Sequence, residues 1–332
     1  MNKIPIIYSL ENKKYSPVLL WNEEHFDQVK RIDNILSELK KKNIGVEFGP
    51  ENLETEFIKE IHDSDYVDFL GDLDKSIIDE AYHFPTDFWH DKKRELSSFL
   101  PKLGRFSLDI YTPVSKNIFT SILSSAAVAY TAAKKVVDGN KIVYALTRPS
   151  GHHAMKSLMG GFCYLNNAAI AAQYLSKLGT VAVLDIDYHH GNGTQDIFYD
   201  RGDVLTVSIH ADPRNKFPYY WGFEDEIGVG LGENKNLNII LSSGANDNDY
   251  SKALKKALEK IKIFGPKYLV ISLGLDTYKK DLLGDFKLTN DYYQNMAKEI
   301  ESLNCPTVIV QEGGYHEDVG KNVFSFLSGF LT

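Results

Sequence analysis

The chain has few cysteines, no excess of positive charge and no long apolar run, and each deficit excludes a class of protein. Only Cys163 and Cys305 occur in 332 residues, too few for a disulfide framework or a zinc cluster held by thiolates. The formal net charge is −8, so the chain lacks the basic surface that nucleic-acid backbones require. We therefore expect a protein of a reducing compartment that does not bind nucleic acid directly.

Membrane and export signals are also missing. The longest apolar stretch, residues 118–133, is interrupted by serine and threonine and falls short of the roughly 18 residues that predict a membrane span. The opening residues, MNKIPIIYSLENKKYSP, combine a short apolar run with charges, and no small-residue cleavage site follows. These features predict a cytoplasmic protein.

Short apolar runs alternate with helix-like segments from about residue 118 onward. Such continuous runs are typical of strands buried on both faces of a parallel sheet. The runs are KIVYALT, TVAVLDI, VLTVSIH, LNIILSS, KYLVISL and PTVIVQE, and the helix-like segments between them include 166–178, 249–264 and 291–303. The alternation predicts a doubly wound α/β fold.

The first 117 residues are less regular, with a predicted strand at 3–8 and a predicted helix from about 24 to 42. Residues 81–104 mix aromatics, proline and charge without a clear period. A long irregular excursion of this kind predicts a lid or an interface, and a solvated loop is the alternative. Because no linker divides the chain, we expect a single domain over residues 1–332.

Two adjacent histidine pairs, His152-His153 and His189-His190, stand just beyond the carboxyl ends of predicted strands. Ligands of open α/β sheets bind in the crevice outside these ends. Five other histidines, at positions 25, 62, 83, 90 and 316, have no recognisable partner pattern and are expected to be solvated or buried in the core. The two histidine pairs therefore predict that the ligand-binding site lies at the carboxyl ends of these strands.

The segment after TVAVLDI holds the strongest candidate for a cation site. Asp185, Asp187 and His189 alternate at period two, so they project to one side if the strand continues through them. A buried polar cluster paired with arginine or backbone is the alternative reading. Asp276 follows another strand, where an aspartate alone is more often a helix cap. Together, Asp187, His189 and Asp276 make a two-carboxylate, one-histidine set with a position open for water, as in catalytic zinc sites.

A fourth strand ends in VIVQEGGYHED, whose glycines allow a sharp turn that directs Tyr315 over the same sheet edge.

Sequence features that would indicate a different chemistry are weaker. The glycines at 228, 230 and 232 lack the strand and helix of a dinucleotide site, so a surface turn is expected there. Neither cysteine has the surroundings of a nucleophile, and both are interpreted as packing residues.

Several multi-residue motifs closely resemble the histone deacetylase family, and within it the bacterial acetylpolyamine amidohydrolases. The resemblance covers about residues 118–330 and rests on RPSGHHA, GGFCYLNNAAIAA, LDIDYHHGNGTQDIFY, VSIHADP, SLGLDTY and EGGY. It implies an α/β/α sandwich around an eight-stranded, mostly parallel sheet.

The resemblance also implies roles for single residues. The zinc ligands fall on Asp187, His189 and Asp276, the set suggested above by position. His152 and His153 match the tandem histidines that handle protons, with Asp185 and Asn192 as their respective partners, and Tyr315 matches the tyrosine that binds the carbonyl oxygen. The tunnel residues fall on Gly161, Phe162, Phe217 and Leu283. A structural potassium site falls on Asp185, Asp187, His189, Ser208 and Ile209.

Some positions depart from the family pattern. Tyr111 stands before Thr112-Pro113 where relatives carry an acidic residue, and Asp109 lies two residues earlier. Leu283 replaces the acidic gatekeeper of polyamine-directed eukaryotic relatives. In contrast, residues 81–104 resemble the insertion that narrows the tunnel of acetylpolyamine amidohydrolases and forms a dimer contact.

We therefore expect a metal-dependent amidohydrolase, with zinc or ferrous iron, that removes acetyl groups from small amines such as acetylpolyamines and forms a homodimer or a higher homo-oligomer. A protein acetyl-lysine deacetylase is the alternative. A binuclear manganese ureohydrolase is disfavoured, because Gly191 and Tyr278 stand where its second metal needs carboxylates. A non-catalytic binder of acetylated ligands is disfavoured because every catalytic position is filled.

Overall fold

Eight strands form one sheet in which every neighbouring pair runs parallel. The computed structural model describes residues 3–19, 24–79, 81–88 and 94–331. The strands are β1 (Ile4–Ile7), β2 (Gly45–Phe48), β3 (Ile142–Ala145), β4 (Val181–Asp185), β5 (Val204–Ala211), β6 (Asn236–Leu241), β7 (Tyr268–Leu273) and β8 (Thr307–Gln311). Their order across the sheet is β2-β1-β3-β8-β7-β4-β5-β6.

Helices cover both faces of the sheet, which gives the three layers predicted from the sequence. One layer contains α2 (Thr55–Ile58), α3 (Ser64–Gly71), α4 (Leu73–Ser76), α5 (Phe99–Arg105), α6 (Ile118–Val137), α7 (Asn167–Ser176) and α8 (Asn192–Phe198). The other contains α1 (Lys30–Lys41), α9 (Asp247–Phe264), α10 (Asn290–Glu301) and α11 (Val319–Ser328). Within the described ranges, no helix combines the length and apolarity needed to cross a bilayer.

The strands contribute to two hydrophobic cores. In β4, Val181 and Val183 pack into the core beneath α6 and α7, whereas Ala182 and Leu184 pack into the core on the opposite face. Successive side chains of a strand point to opposite faces, so a strand with cores on both sides must be apolar throughout. This requirement explains the continuous apolar runs of the sequence. The seven strands predicted from the sequence are all present in the structure.

Three local features differ from the sequence prediction. The sequence did not predict β2, a four-residue edge strand with mostly exposed side chains. The first long helix begins at Lys30 rather than near residue 24; the segment before it instead buries His25 and Asp27. The excursion at 81–104 contains the start of α5, whose Phe99 stacks on Phe69. Residues 89–93, including His90, lie outside the described residues.

Candidate active site

A cavity of about 350 Å³ opens at the carboxyl ends of the central strands. Its walls come from the loops after β3, β4, β5, β7 and β8, together with residues from the N-terminal part of the chain. The lining residues are Phe26, Asp109, Tyr111, Ser150, His152, His153, Gly161, Phe162, Asp187, His189, Phe217, Tyr219, Leu283, Gly313 and Tyr315. The cavity thus lies in the crevice predicted from the histidine pairs.

Asp187, His189 and Asp276 bring their ligand atoms within 4.8 Å of one another. The Nδ1 atom of His189 lies 3.3 Å from Asp187 Oδ1 and 3.0 Å from Asp276 Oδ2. The strand β4 ends at Asp185, so the premise of a continuing strand is wrong. A chain of local hydrogen bonds orders the loop instead: the Asp187 amide donates to Asp185 Oδ1 at 3.1 Å, and the His189 amide donates to Asp187 Oδ1 at 2.9 Å.

The chemistry of this donor set fits a divalent metal ion. Asp187 and Asp276 are fully buried, and burial together with the charge of Asp187 raises the pKa of Asp276 to about 7. Burial would also raise the pKa of Asp187, but the neighbouring His152 and His189 hold it well below its usual range. Two buried carboxylates this close repel each other, and a bound cation would remove that repulsion.

The tandem histidines lie beside this cluster with their rings 3.9 Å apart. His152 Nδ1 is 2.9 Å from Asp185 Oδ2, and His153 Nδ1 is 2.7 Å from Asn192 Oδ1. Because an amide oxygen can only accept, Nδ1 of His153 carries the proton and its Nε2 has a free lone pair. The structure therefore pairs each histidine with the partner expected from the resemblance.

The two histidines differ in their electrostatic surroundings. Burial alone would lower the pKa of His152, but the carboxylates of Asp187 and Asp185 raise it to about 10. Burial and the positive charges of His152 and His189 lower the pKa of His153 well below its usual value. The surroundings of His152 therefore favour its charged form, and those of His153 favour its neutral form.

Tyr315 lines the cavity from the turn after β8. Its amide donates to Asp281 Oδ2 at 2.7 Å, and the Arg31 guanidinium lies 4.8 Å from the centre of its ring. Arg31 also donates to the Glu312 and Gly314 carbonyls, both at 2.7 Å. The turn is therefore held from two sides.

Sequence reasoning missed this support. Arg31 contacts Asp27 at 2.6 Å, and Arg148 contacts the same carboxylate oxygen at 3.0 Å. All three side chains are buried. A buried charge needs a partner, but the sequence does not mark these three residues as buried. Their partners are distant in the chain, since Arg31 and Gly314 are 283 residues apart.

Phe162 and Phe217 form part of the apolar wall. The Phe162 ring packs 4.3 Å from the His25 ring, and the Phe217 ring packs 4.8 Å from that of His153. Gly161 has a φ of +55°, and a Cβ there would overlap the His153 ring. The remaining wall residue, Leu283, is half-buried. The four residues predicted for the tunnel therefore lie around one cavity.

Asp109 lines the cavity and also supports the wall. Its Oδ2 accepts from the Gly161 amide at 2.6 Å, while its Oδ1 accepts from the Tyr111 amide at 2.8 Å and from Thr112 Oγ1 at 3.1 Å. Tyr111 itself is half exposed at the rim. Both carboxylate oxygens of Asp109 therefore already accept hydrogen bonds from the protein.

Of the residues predicted for a potassium site, Asp187 and His189 line the cavity, and Asp185 in β4 pairs with Ser208 in β5. Ser208 Oγ lies 2.7 Å from His210 Nδ1 and 3.2 Å from His190 Nδ1. Ile209 is fully buried beside it. A potassium ion at this place stays a prediction.

Comparison with known proteins gives the same family as the motifs. Residues 25–328 match the histone deacetylase domain. Acetylpolyamine amidohydrolase 1 of Pseudomonas aeruginosa is 41% identical over 315 residues, which cover 92% of this chain and 91% of that protein. Histone deacetylase 8 of Arabidopsis thaliana is 30% identical, with 89% and 75% coverage. The crystal structure of acetylpolyamine aminohydrolase from Burkholderia pseudomallei has a TM-score of 0.94 and 34% identity, covering 99% of this chain and 98% of its own. The chain belongs to the histone deacetylase family.

Proposed function

We propose that this chain is a zinc-dependent amidohydrolase that releases acetate from small acetylated primary amines, with acetylpolyamines as the substrate class. The observation that carries the proposal is the cluster of Asp187, His189 and Asp276 next to two differently paired histidines that line one cavity. The relatives named for acetylpolyamines support the substrate class. Membership of the family implies a catalytic divalent metal ion.

The metal would be held by Asp187, His189 and Asp276. Three protein ligands with a further position open to water or substrate are typical of catalytic zinc. When bound, the ion supplies Lewis acidity that polarises the acetyl carbonyl and makes water a stronger acid. Zinc is proposed over ferrous iron, and metal analysis of the purified protein distinguishes the two.

The protein's own residues then move the protons. His153 takes a proton from the attacking water at Nε2, because Asn192 keeps its Nδ1 protonated. The same nitrogen returns the proton to the leaving amine. His152, paired with Asp185, supplies electrostatic support. The Tyr315 hydroxyl donates to the carbonyl oxygen as negative charge develops there.

The cavity walls select the amine. Phe162 and Phe217 offer apolar contact to an alkyl chain, and each buried methylene contributes about 0.8 kcal/mol. We propose that residues 81–104 narrow the mouth as a lid or subunit contact within a single domain, and that the chain acts as a homodimer or a higher homo-oligomer. A narrow mouth would admit a bare alkyl chain and exclude the backbone of a folded protein.

A substrate panel tests this function. We expect kcat/KM for N-acetylputrescine or N-acetylcadaverine to exceed that for an acetyl-lysine peptide, with acetylspermidine as a longer member of the panel. Shortening the part of residues 81–104 that precedes α5 should reduce this preference. A tenfold preference of the intact enzyme for the peptide would favour a protein deacetylase instead, and an unchanged ratio after shortening would reject the role of the excursion.

A further inference from the structure

Glu312 follows β8 directly and lies next to the Gly313-Gly314 turn. Its side chain is fully buried, and the residue does not line the cavity described above. Its Oε2 accepts from the Gly151 amide at 2.7 Å and from the His152 amide at 3.3 Å. One carboxylate therefore joins the turn that carries Tyr315 to the loop that carries the tandem histidines.

These two amides need a partner at this place. Gly151 and His152 are buried, and a buried amide without an acceptor is destabilising. The loop also runs against the start of α7, because a Cβ on Gly151 would overlap the Asn167 amide nitrogen. The backbone cannot turn these amides towards other groups without moving the histidines.

Glu312 is itself firmly placed. Its amide donates to the Leu273 carbonyl at 2.8 Å, and its carbonyl accepts from Arg31 at 2.7 Å. Its Oε1 is buried and has no hydrogen-bond partner among the residues that the structure describes. The side chain is thus held through Oε2, the atom that meets the two amides.

We propose that Glu312 is a positioning residue that sets the tandem histidines by accepting both backbone amides of their loop. The proposal rests on the proposed function, because that function assigns proton transfer to those histidines. Glu312 itself touches neither substrate nor metal. Its effect passes through the backbone to the His152-Asp185 and His153-Asn192 hydrogen bonds.

Two substitutions separate the hydrogen bonds of Glu312 from its volume. Glu312→Met fills the space but removes the acceptor. Glu312→Gln keeps an amide oxygen for Gly151 and His152. Because burial raises the pKa of Glu312 to about 8, the neutral acid is accessible near neutral pH, and glutamine resembles it closely.

We expect Glu312→Met to lower kcat for N-acetylputrescine by roughly tenfold to a hundredfold, with KM and zinc content unchanged. Glu312→Gln should restore kcat to about the native value. Asp196→Ala is the matched control, because Asp196 also accepts an amide from this loop, that of Lys156 at 2.8 Å, but beyond the histidines. If Glu312→Met does not fold, Glu312→Asp withdraws the same carboxylate by one methylene and should also lower kcat.

An activity-independent measurement keeps this inference separate from the proposed function. Nuclear magnetic resonance of ¹⁵N-histidine-labelled zinc enzyme reports the ring N–H groups bonded to Asp185 and Asn192. We expect both signals to shift in Glu312→Met, or in Glu312→Asp if that variant is used, and to persist in Glu312→Gln and Asp196→Ala. Unchanged ring signals in Glu312→Met, or in Glu312→Asp if that variant is used, would overturn the positioning role of Glu312. An unchanged kcat in the same variant would also overturn it. A native enzyme inactive on every acetylated amine would reject the proposed function, while the ring signals would still decide the role of Glu312.

Discussion

Adding a single methyl group at Gly313 should weaken the metal site. A Cβ at this position would lie 2.7 Å from Asp187 Oδ2 and 2.9 Å from Asp276 Oδ2. Ordinary van der Waals contact begins near 3.4 Å, so the oxygens of Asp187 and Asp276 must retreat by about 0.7 and 0.5 Å, which reaches or exceeds the roughly 0.5 Å tolerance of a catalytic constellation. Gly313 has no left-handed φ, so alanine fits the backbone.

We expect Gly313→Ala to weaken zinc binding by about 10- to 100-fold, the usual effect of disturbing the groups around metal ligands. Competition with a chelator measures this affinity, and thermal unfolding of the metal-free protein checks the fold. Gly49→Ala is the control, because a Cβ there meets no atom within 4 Å. Zinc affinity of Gly313→Ala within twofold of native would refute the assignment of these two carboxylates as ligands.

Three further predictions address the catalytic tyrosine, the tunnel wall and the fold. Tyr315→Phe should lower kcat by roughly a hundredfold or more, because one donor to the developing oxyanion is lost, while metal analysis finds zinc unchanged; native turnover would contradict this role. Phe162→Ala should lower kcat/KM for acetylated alkylamines by about tenfold if two methylenes lose their contact, and a smaller loss for the shortest chain would support the reason. Burial lowers the pKa of His62 to about 4, so between that pH and about 6.5 the unfolded chain binds one more proton than the folded chain, and stability falls as pH falls. His62→Gln should remove a slope of about 1.4 kcal/mol per pH unit from the free energy of unfolding in this range. The same slope in His62→Gln and in the native protein would contradict the burial argument.

The strands were predictable because burial on both faces leaves a mark in the sequence itself. β4 must fill two cores, and every residue from Val181 to Leu184 is apolar. By contrast, β2 is exposed at the edge, so nothing in its composition requires a strand. The late start of α1 has a similar cause: the residues before it are ordered by contacts with Arg148 and Phe162, which no local pattern reveals.

The candidate site divides in the same way. Asp187, His189 and Asp276 follow strands whose ends meet at one edge, so sequence position alone suggests that they are neighbours. Glu312 and Arg31 act through contacts with residues more than 150 positions away. Such contacts depend on how the loops pack above the sheet, so local sequence patterns do not reveal them.

Titration of the metal-free chain with zinc, followed by acetate release from N-acetylputrescine, measures how many metal ions the reaction needs. We expect activity to rise linearly and to reach its plateau at one ion per chain, since the proposed function assigns zinc only to the cluster of Asp187, His189 and Asp276. A plateau reached only at two ions per chain would contradict the mononuclear site, and no acetate at any zinc level would contradict the proposed reaction.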